Sequence, residues 1–137
     1  MDLPKNEYTF QFNERGERTK KIYDGSFTVR CLLTMEDIRR VGIKLDILNG
    51  GSQTLPPGVG LLNRAFAELD IRIIKAPSWW KDANDGRDMF DTNVILEVFN
   101  KALDAERNWD ERVTEAAGEA EKQTTVTKKK KQDGQKE

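Results

Sequence analysis

Residues 91–109, DTNVILEVFNKALDAERNW, decide the fold. Apolar side chains recur there three and four residues apart, which places them on one face of an α-helix, with Glu97 and Lys101 on the opposite face. The apolar face consists of Val94, Ile95, Val98, Phe99, Ala102, Leu103 and Trp109. Asp91 stands at the N-cap position. The pattern predicts an amphipathic helix whose apolar face is either the core face of the domain or a groove for a partner.

The amino-terminal residues show the alternation of β-strands. Aromatic side chains alternate with polar ones at Tyr8, Phe10 and Phe12. Residues 13–16 then supply a turn, and residues 19–32 alternate in the same way. We therefore expect an antiparallel β-ribbon at the amino end.

Two further helices are predicted between this ribbon and residue 91. Thr34, followed by Asp37, has the pattern of an N-cap with an acidic first turn, and a second helix is expected to begin near Gly58. The sequence thus predicts an α+β fold, in which an N-terminal antiparallel β-ribbon packs on about three α-helices. Residues 1–109 are predicted to form this single domain.

The last 28 residues, 110–137, are expected to be a charged and largely disordered tail. Val113 and Val126 are their only sizeable apolar side chains, too few to offset the entropy of ordering the chain. Residues 111–121 are rich in Ala and Glu, so one alternative is that they continue the third helix as a solvated extension. Residues 123–137 have no apolar periodicity.

Composition argues against several classes of function. There is no histidine, and the single Cys31 lacks a neighbouring base, so the sequence predicts no enzyme, no cofactor and no metal site. The formal net charge is −1, which makes nucleic acid an improbable partner. No apolar run reaches the length of a membrane span, so we expect a cytoplasmic protein without a membrane partner.

Trp79 and Trp80 are adjacent in residues 76–90, which are predicted to be an irregular connection. In extended backbone the two side chains would point in opposite directions, so that one would be an exposed anchor for a protein partner. The alternative is that both cover the core above the third helix.

Four segments together resemble the tail assembly chaperone family of tailed bacteriophages. They are Tyr23–Val29, the helix start at Thr34, Ala76–Trp80 and Asp91–Phe99. The resemblance implies a mainly helical protein that binds the tape-measure protein during tail assembly and keeps its apolar helices soluble. A host-cell cytoplasmic location follows from it.

The leading hypothesis is therefore a non-enzymatic factor that binds an apolar helical protein, with a homo-oligomer as a further option. The predicted partner-binding residues are Trp79, Trp80, Phe99 and Trp109. One alternative is a structural component of the virion, in the tail or neck, that uses the β-ribbon to add strands to its neighbours. Another is a nucleic-acid-binding module that acts through Lys128–Lys131.

Overall fold

The computed structural model describes residues 2–51 and 54–135, with side chains described as far as residue 121. The elements are β1 (Tyr8–Arg15), β2 (Ile22–Val29), α1 (Met35–Asn49), α2 (Val59–Arg72), β3 (Ile73–Lys75), α3 (Ser78–Asp82) and α4 (Thr92–Gln135). The predicted α+β fold is confirmed, because an antiparallel sheet at the amino end packs on the helices through one hydrophobic core.

The sheet has three antiparallel strands in the order β1-β2-β3. β1 and β2 form the predicted ribbon and pair over eight residues without a slip. Gly25 lies inside β2 at φ +149°, and a Cβ atom there would come within 2.8 Å of Pro77. Glycine therefore lets Pro77 pack directly on the strand.

The α1 helix is well capped but shallowly packed. The Thr34 side chain accepts from the Asp37 N–H, and the Asp37 side chain accepts from the Thr34 N–H, each at 3.0 Å, which is a capping box. Gly50 ends the helix at φ 62°, in the left-handed conformation that favours glycine. The helix packs chiefly on α2, and none of its apolar side chains is fully buried.

The connection at 76–90 was predicted to be irregular, and this expectation is wrong in part. Residues Ser78–Asp82 form the short helix α3, which begins directly after Pro77. Arg87 then fixes the end of the connection to α2 through two hydrogen bonds to Asp70, at 3.1 and 2.7 Å. The connection is thus held against the core at both ends.

The predicted apolar face of α4 is a core face. Its buried residues are Val94, Ile95, Val98, Phe99, Ala102, Ala105 and Trp109. Val113 also packs against the core, and most residues from 114 to 121 are exposed, as expected for a solvated helical extension. The side chains of residues 122–137 lie outside the described residues, so disorder there stays a prediction.

The start of α4 holds the turn between β1 and β2. Asp91 is 1% exposed, and its carboxylate accepts from the backbone N–H groups of Arg18 and Thr19 at 2.8 and 3.0 Å. It also accepts from the Thr19 and Tyr23 hydroxyls. The Thr19 hydroxyl, followed by these backbone N–H groups, holds the pKa of Asp91 below its usual value. The predicted N-cap residue therefore uses its side chain on the β-turn instead of on its own helix.

Candidate functional site

Trp79 and Trp80 lie in α3 and both turn toward the core. Trp80 is 2% exposed, and its ring packs edge-on against Phe27 at 5.7 Å between centroids. Trp79 is half-buried against Tyr23 at 5.1 Å, and its Nε1–H donates to the carbonyl of Asp24 at 2.7 Å. In the described structure, the pair therefore covers the core, because a helix places the two side chains differently from an extended chain.

Phe99 and Trp109 are also buried, on the core face of α4. The Nε1–H of Trp109 donates to the carbonyl of Pro4 at 3.2 Å, which ties the amino-terminal residues to the helix. The four predicted partner-binding residues thus belong to the core or pack on it and do not form one exposed surface. Of these four, Phe99 lines a groove that opens to solvent.

This groove lies between α1, α2 and α4 and has a volume of about 490 Å³. Its apolar lining consists of Leu33, Ile38, Val41, Leu61, Phe99 and Leu103. Ile38 is 50% exposed and Leu61 is 52% exposed. Met35, one turn before Ile38 on α1, is 78% exposed. Because α1 packs chiefly on α2, it leaves the space above Phe99 and Leu103 unfilled.

Four charged side chains at one side of the groove neutralise one another. Glu68 accepts from Arg64 at 3.1 Å and from Arg72 at 3.2 Å, and Arg72 also reaches Glu106 at 3.4 Å. Arg72 is 3% exposed, and its Nη1 donates to the carbonyl of Cys31 at 3.2 Å. A buried arginine with this many acceptors is expected to be stable and immobile. The groove therefore offers mainly apolar contacts.

Cys31 is fully buried. Burial raises the pKa of its thiol, although the nearby positive charges of Arg112 and Arg72 act in the opposite direction. The thiol therefore stays protonated at neutral pH.

The groove residues Leu33, Leu61, Arg64 and Glu68 were not singled out from the sequence. Arg64, Glu68 and Arg72 follow one another at four-residue spacing, which was a readable sign that they share one side of a helix. Nothing in the sequence indicated that Glu68 and Arg72 would be buried, since that depends on where α4 and β2 pack.

The other functional features considered from the sequence are nucleic-acid binding, metal binding and membrane insertion. Lys128–Lys131, on which the nucleic-acid alternative depends, lie outside the residues whose side chains are described. Within the described part of the chain, no three His, Cys, Asp or Glu side chains are placed to hold a metal ion. None of the helices described there combines the length and apolar character needed to cross a membrane.

The resemblance to the tail assembly chaperone family finds no support in comparisons with known proteins. The chain matches no protein-family model, no curated protein and no solved structure. Membership of that family therefore stays a prediction.

Proposed function

We propose that the protein is a non-enzymatic binding factor that takes an apolar helix of another protein into the groove between α1, α2 and α4. The observation that carries the proposal is the exposed apolar lining of this groove, above all Ile38 and Leu61. Grooves of this kind, between helices, are a common binding site for amphipathic helices.

An apolar helix fits the chemistry of the groove better than a polar ligand does. The charged groups of Glu68 and Arg72 are already satisfied by each other and by their neighbours, so they have little hydrogen-bonding capacity left for a ligand. Apolar surface continues beyond the groove at Met35, where an elongated partner would reach it. Covering the exposed half of Ile38 and of Leu61 would each contribute on the order of 1 kcal/mol to binding.

In its more specific form, the proposal names the tape-measure protein of a tailed phage as the partner. The segments that resemble the tail assembly chaperone family motivate this choice, and an apolar helical partner agrees with the lining of the groove. Phe99, the predicted partner-binding residue that lines the groove, would contact such a helix.

The test is an affinity pull-down of the tagged full chain from its native expressing cells, followed by reconstitution of each purified complex. Two variants, Leu61→Glu and Ile43→Glu, introduce the same charge at side chains that are 52% and 46% exposed. Leu61 lines the groove and Ile43 does not. Both variants should fold, because glutamate is a good helix former at an exposed position.

The proposal expects one long, apolar, helical protein that the purified chain binds directly. Leu61→Glu should weaken this binding at least about tenfold, as the burial of one carboxylate in an apolar groove requires, whereas Ile43→Glu should leave it unchanged. Equal binding by both variants, or the absence of any direct helical partner, would contradict the proposal.

A further inference from the structure

β1 forms an open edge of the sheet, and its backbone orientation follows from the turn. The N–H of Gly16 donates to the carbonyl of Lys21 at 2.8 Å, in the same register as the eight pairs of β1 and β2. Hydrogen-bonded and non-hydrogen-bonded pairs alternate along an antiparallel ladder. The backbone N–H and C=O groups of even-numbered residues in β1 therefore bond to β2. Those of odd-numbered residues point to the open edge. The odd-numbered Arg15 follows this alternation, because its carbonyl points away from β2 and accepts from the Asn93 side-chain amide at 2.9 Å.

The outward backbone groups of Thr9, Gln11 and Asn13 have no hydrogen-bond partner on that side within the described part of the chain. Their side chains are exposed, and none is charged. The strand has no proline, no lysine and no bulge against β2, which are the usual means of protecting an edge. The edge from Thr9 to Asn13 is thus open for pairing with another strand.

We propose that this edge pairs with β1 of a second copy of the chain, antiparallel, about a twofold axis at Gln11. Gln11 of one copy then lies opposite Gln11 of the other, Thr9 opposite Asn13, and Glu7 opposite Arg15. Thr9, Gln11 and Asn13 direct their N–H and C=O groups outward, so the Gln11 and Thr9–Asn13 pairs are hydrogen-bonded. The carbonyl of Arg15 already accepts from Asn93, so Arg15 meets Glu7 of the other copy through its side chain. The result is a continuous sheet of six strands with an isologous interface.

Charges select this register over its neighbours. Glu7 faces Arg15 twice in the symmetric pair, and Lys5 and Glu17 come together just outside the strand. A shift by two residues in one direction would bring Lys5 opposite Arg15, and a shift in the other would bring Glu7 opposite Glu17. Both alternatives place like charges across the strands, which is destabilising. Shifts by one residue are excluded, because they would turn the buried face of one copy outward.

The core face of the sheet also supports the pairing. Phe10 of one copy lies opposite Phe12 of the other in this register, which continues the row of aromatic rings that Phe10 and Phe27 begin at 5.4 Å. Aromatic cross-strand pairs stabilise antiparallel sheets. This interface uses a surface separate from the groove, so it does not depend on the proposed partner helix.

The test is sedimentation equilibrium of the full chain with Gln11→Pro and, as its control, Gln11→Thr. Proline removes one outward N–H that the single copy does not use, so the fold should persist, as circular dichroism can verify. The wild type and Gln11→Thr should dimerise, and Gln11→Pro should raise the dimer Kd at least about tenfold, since symmetry removes two hydrogen bonds.

The second part of the test exchanges the charges of Glu7 and Arg15. Arg15→Glu alone should weaken the dimer, because it places Glu7 opposite a carboxylate, and the double variant Glu7→Arg with Arg15→Glu should restore it. A wild-type chain that is monomeric at millimolar concentration would overturn the proposal. So would a dimer whose Kd neither Gln11→Pro nor Arg15→Glu changes.

Discussion

Asp91 connects two distant parts of the chain through a single carboxylate. It receives hydrogen bonds from Arg18, Thr19 and Tyr23 while its own backbone carbonyl starts α4. Asn93 adds to the same contact, since its side chain accepts from the Glu17 N–H at 3.1 Å. The β-turn and the helix N-terminus therefore stabilise each other.

Because folding lowers the pKa of Asp91, its contribution to stability should depend on pH. That contribution is fully present above the pKa in the unfolded chain, about 3.9, and is lost as the pH falls toward the lower pKa of the folded state. We expect Asp91→Asn to lower the free energy of unfolding at pH 7 and to reduce its decrease between about pH 5 and pH 2. Urea unfolding at several pH values measures both effects.

The control for this experiment is Asp46→Asn, which changes an exposed carboxylate of α1. It should lower the free energy of unfolding at pH 7 much less than Asp91→Asn does. Asp37 also has a lowered pKa, mainly because it accepts from the backbone of Thr34, so some acid sensitivity should persist in the Asp91→Asn variant. An unchanged pH profile in Asp91→Asn would show that its hydrogen bonds contribute no stability.

Gly86 is required by both its backbone and its neighbour. It has φ +88°, and a Cβ atom there would lie 2.6 Å from the ring of Trp80. We expect Gly86→Ala to lower the free energy of unfolding by roughly 2–4 kcal/mol, the sum of backbone strain and overpacking. Gly42→Ala, in the middle of α1 with open space around it, should instead raise this free energy by about 0.5–1 kcal/mol. Chemical denaturation measures both, and a neutral Gly86→Ala would contradict the packing of Trp80.

At the scale of elements, α1 is only weakly packed against the rest of the domain. It buries no apolar side chain completely, and it packs chiefly on α2. Polar contacts with α2 add to this packing. The Asn63 side chain donates to the Leu48 carbonyl at 3.3 Å, and Lys44 forms an ion pair with Asp70 at 3.5 Å. An element held in this way can move without disturbing the core.

We therefore expect the backbone amides of α1 to exchange with solvent well before those of α4 near Val98. The difference should reach several orders of magnitude in protection, because α1 can open locally while α4 exchanges only when the core unfolds. Native-state hydrogen exchange read by NMR measures it. Equal protection in the two helices would mean that α1 belongs to the same cooperative unit as the core.

The helices and the ribbon could be predicted because their patterns are local. The apolar face of α4 and the alternation at Phe10 and Phe12 need no knowledge of the rest of the chain. The short β3 strand and α3 were harder to predict, since three to five residues carry little periodicity. For this reason the sequence left open whether Trp79 and Trp80 point in opposite directions or both cover the core, and the helical turn of α3 produces the second arrangement.

At the scale of the whole molecule, the groove could not be predicted, because it is a space between elements. Leu61 is one more apolar residue of a helix in the sequence, and its exposure depends on how α1 packs against α2 and α4. The open edge of β1 is partly readable, since the first strand of a ribbon often lies at the edge. The sequence does not show that β3 pairs with β2 and so leaves β1 at the edge. Only the order of the strands in the folded sheet shows this.

α4 continues past the hydrophobic core. The described core ends near Val113. Residues 114–121 of the helix lie past the core, are rich in Glu and Ala, and are mostly exposed. The structural and nucleic-acid alternatives stay predictions, and each would place its partner outside the groove.

The measurement that tests the central claim most directly is site-specific photo-crosslinking in the native expressing cells. A photoreactive side chain at Leu61 probes the groove, and one at Ile43 probes a similarly exposed position of α1 outside its lining. We predict that Leu61 crosslinks to an apolar helical segment of one protein and that Ile43 does not. Crosslinks of equal yield to the same proteins at both positions, or none at Leu61, would contradict the claim that this groove binds a helix.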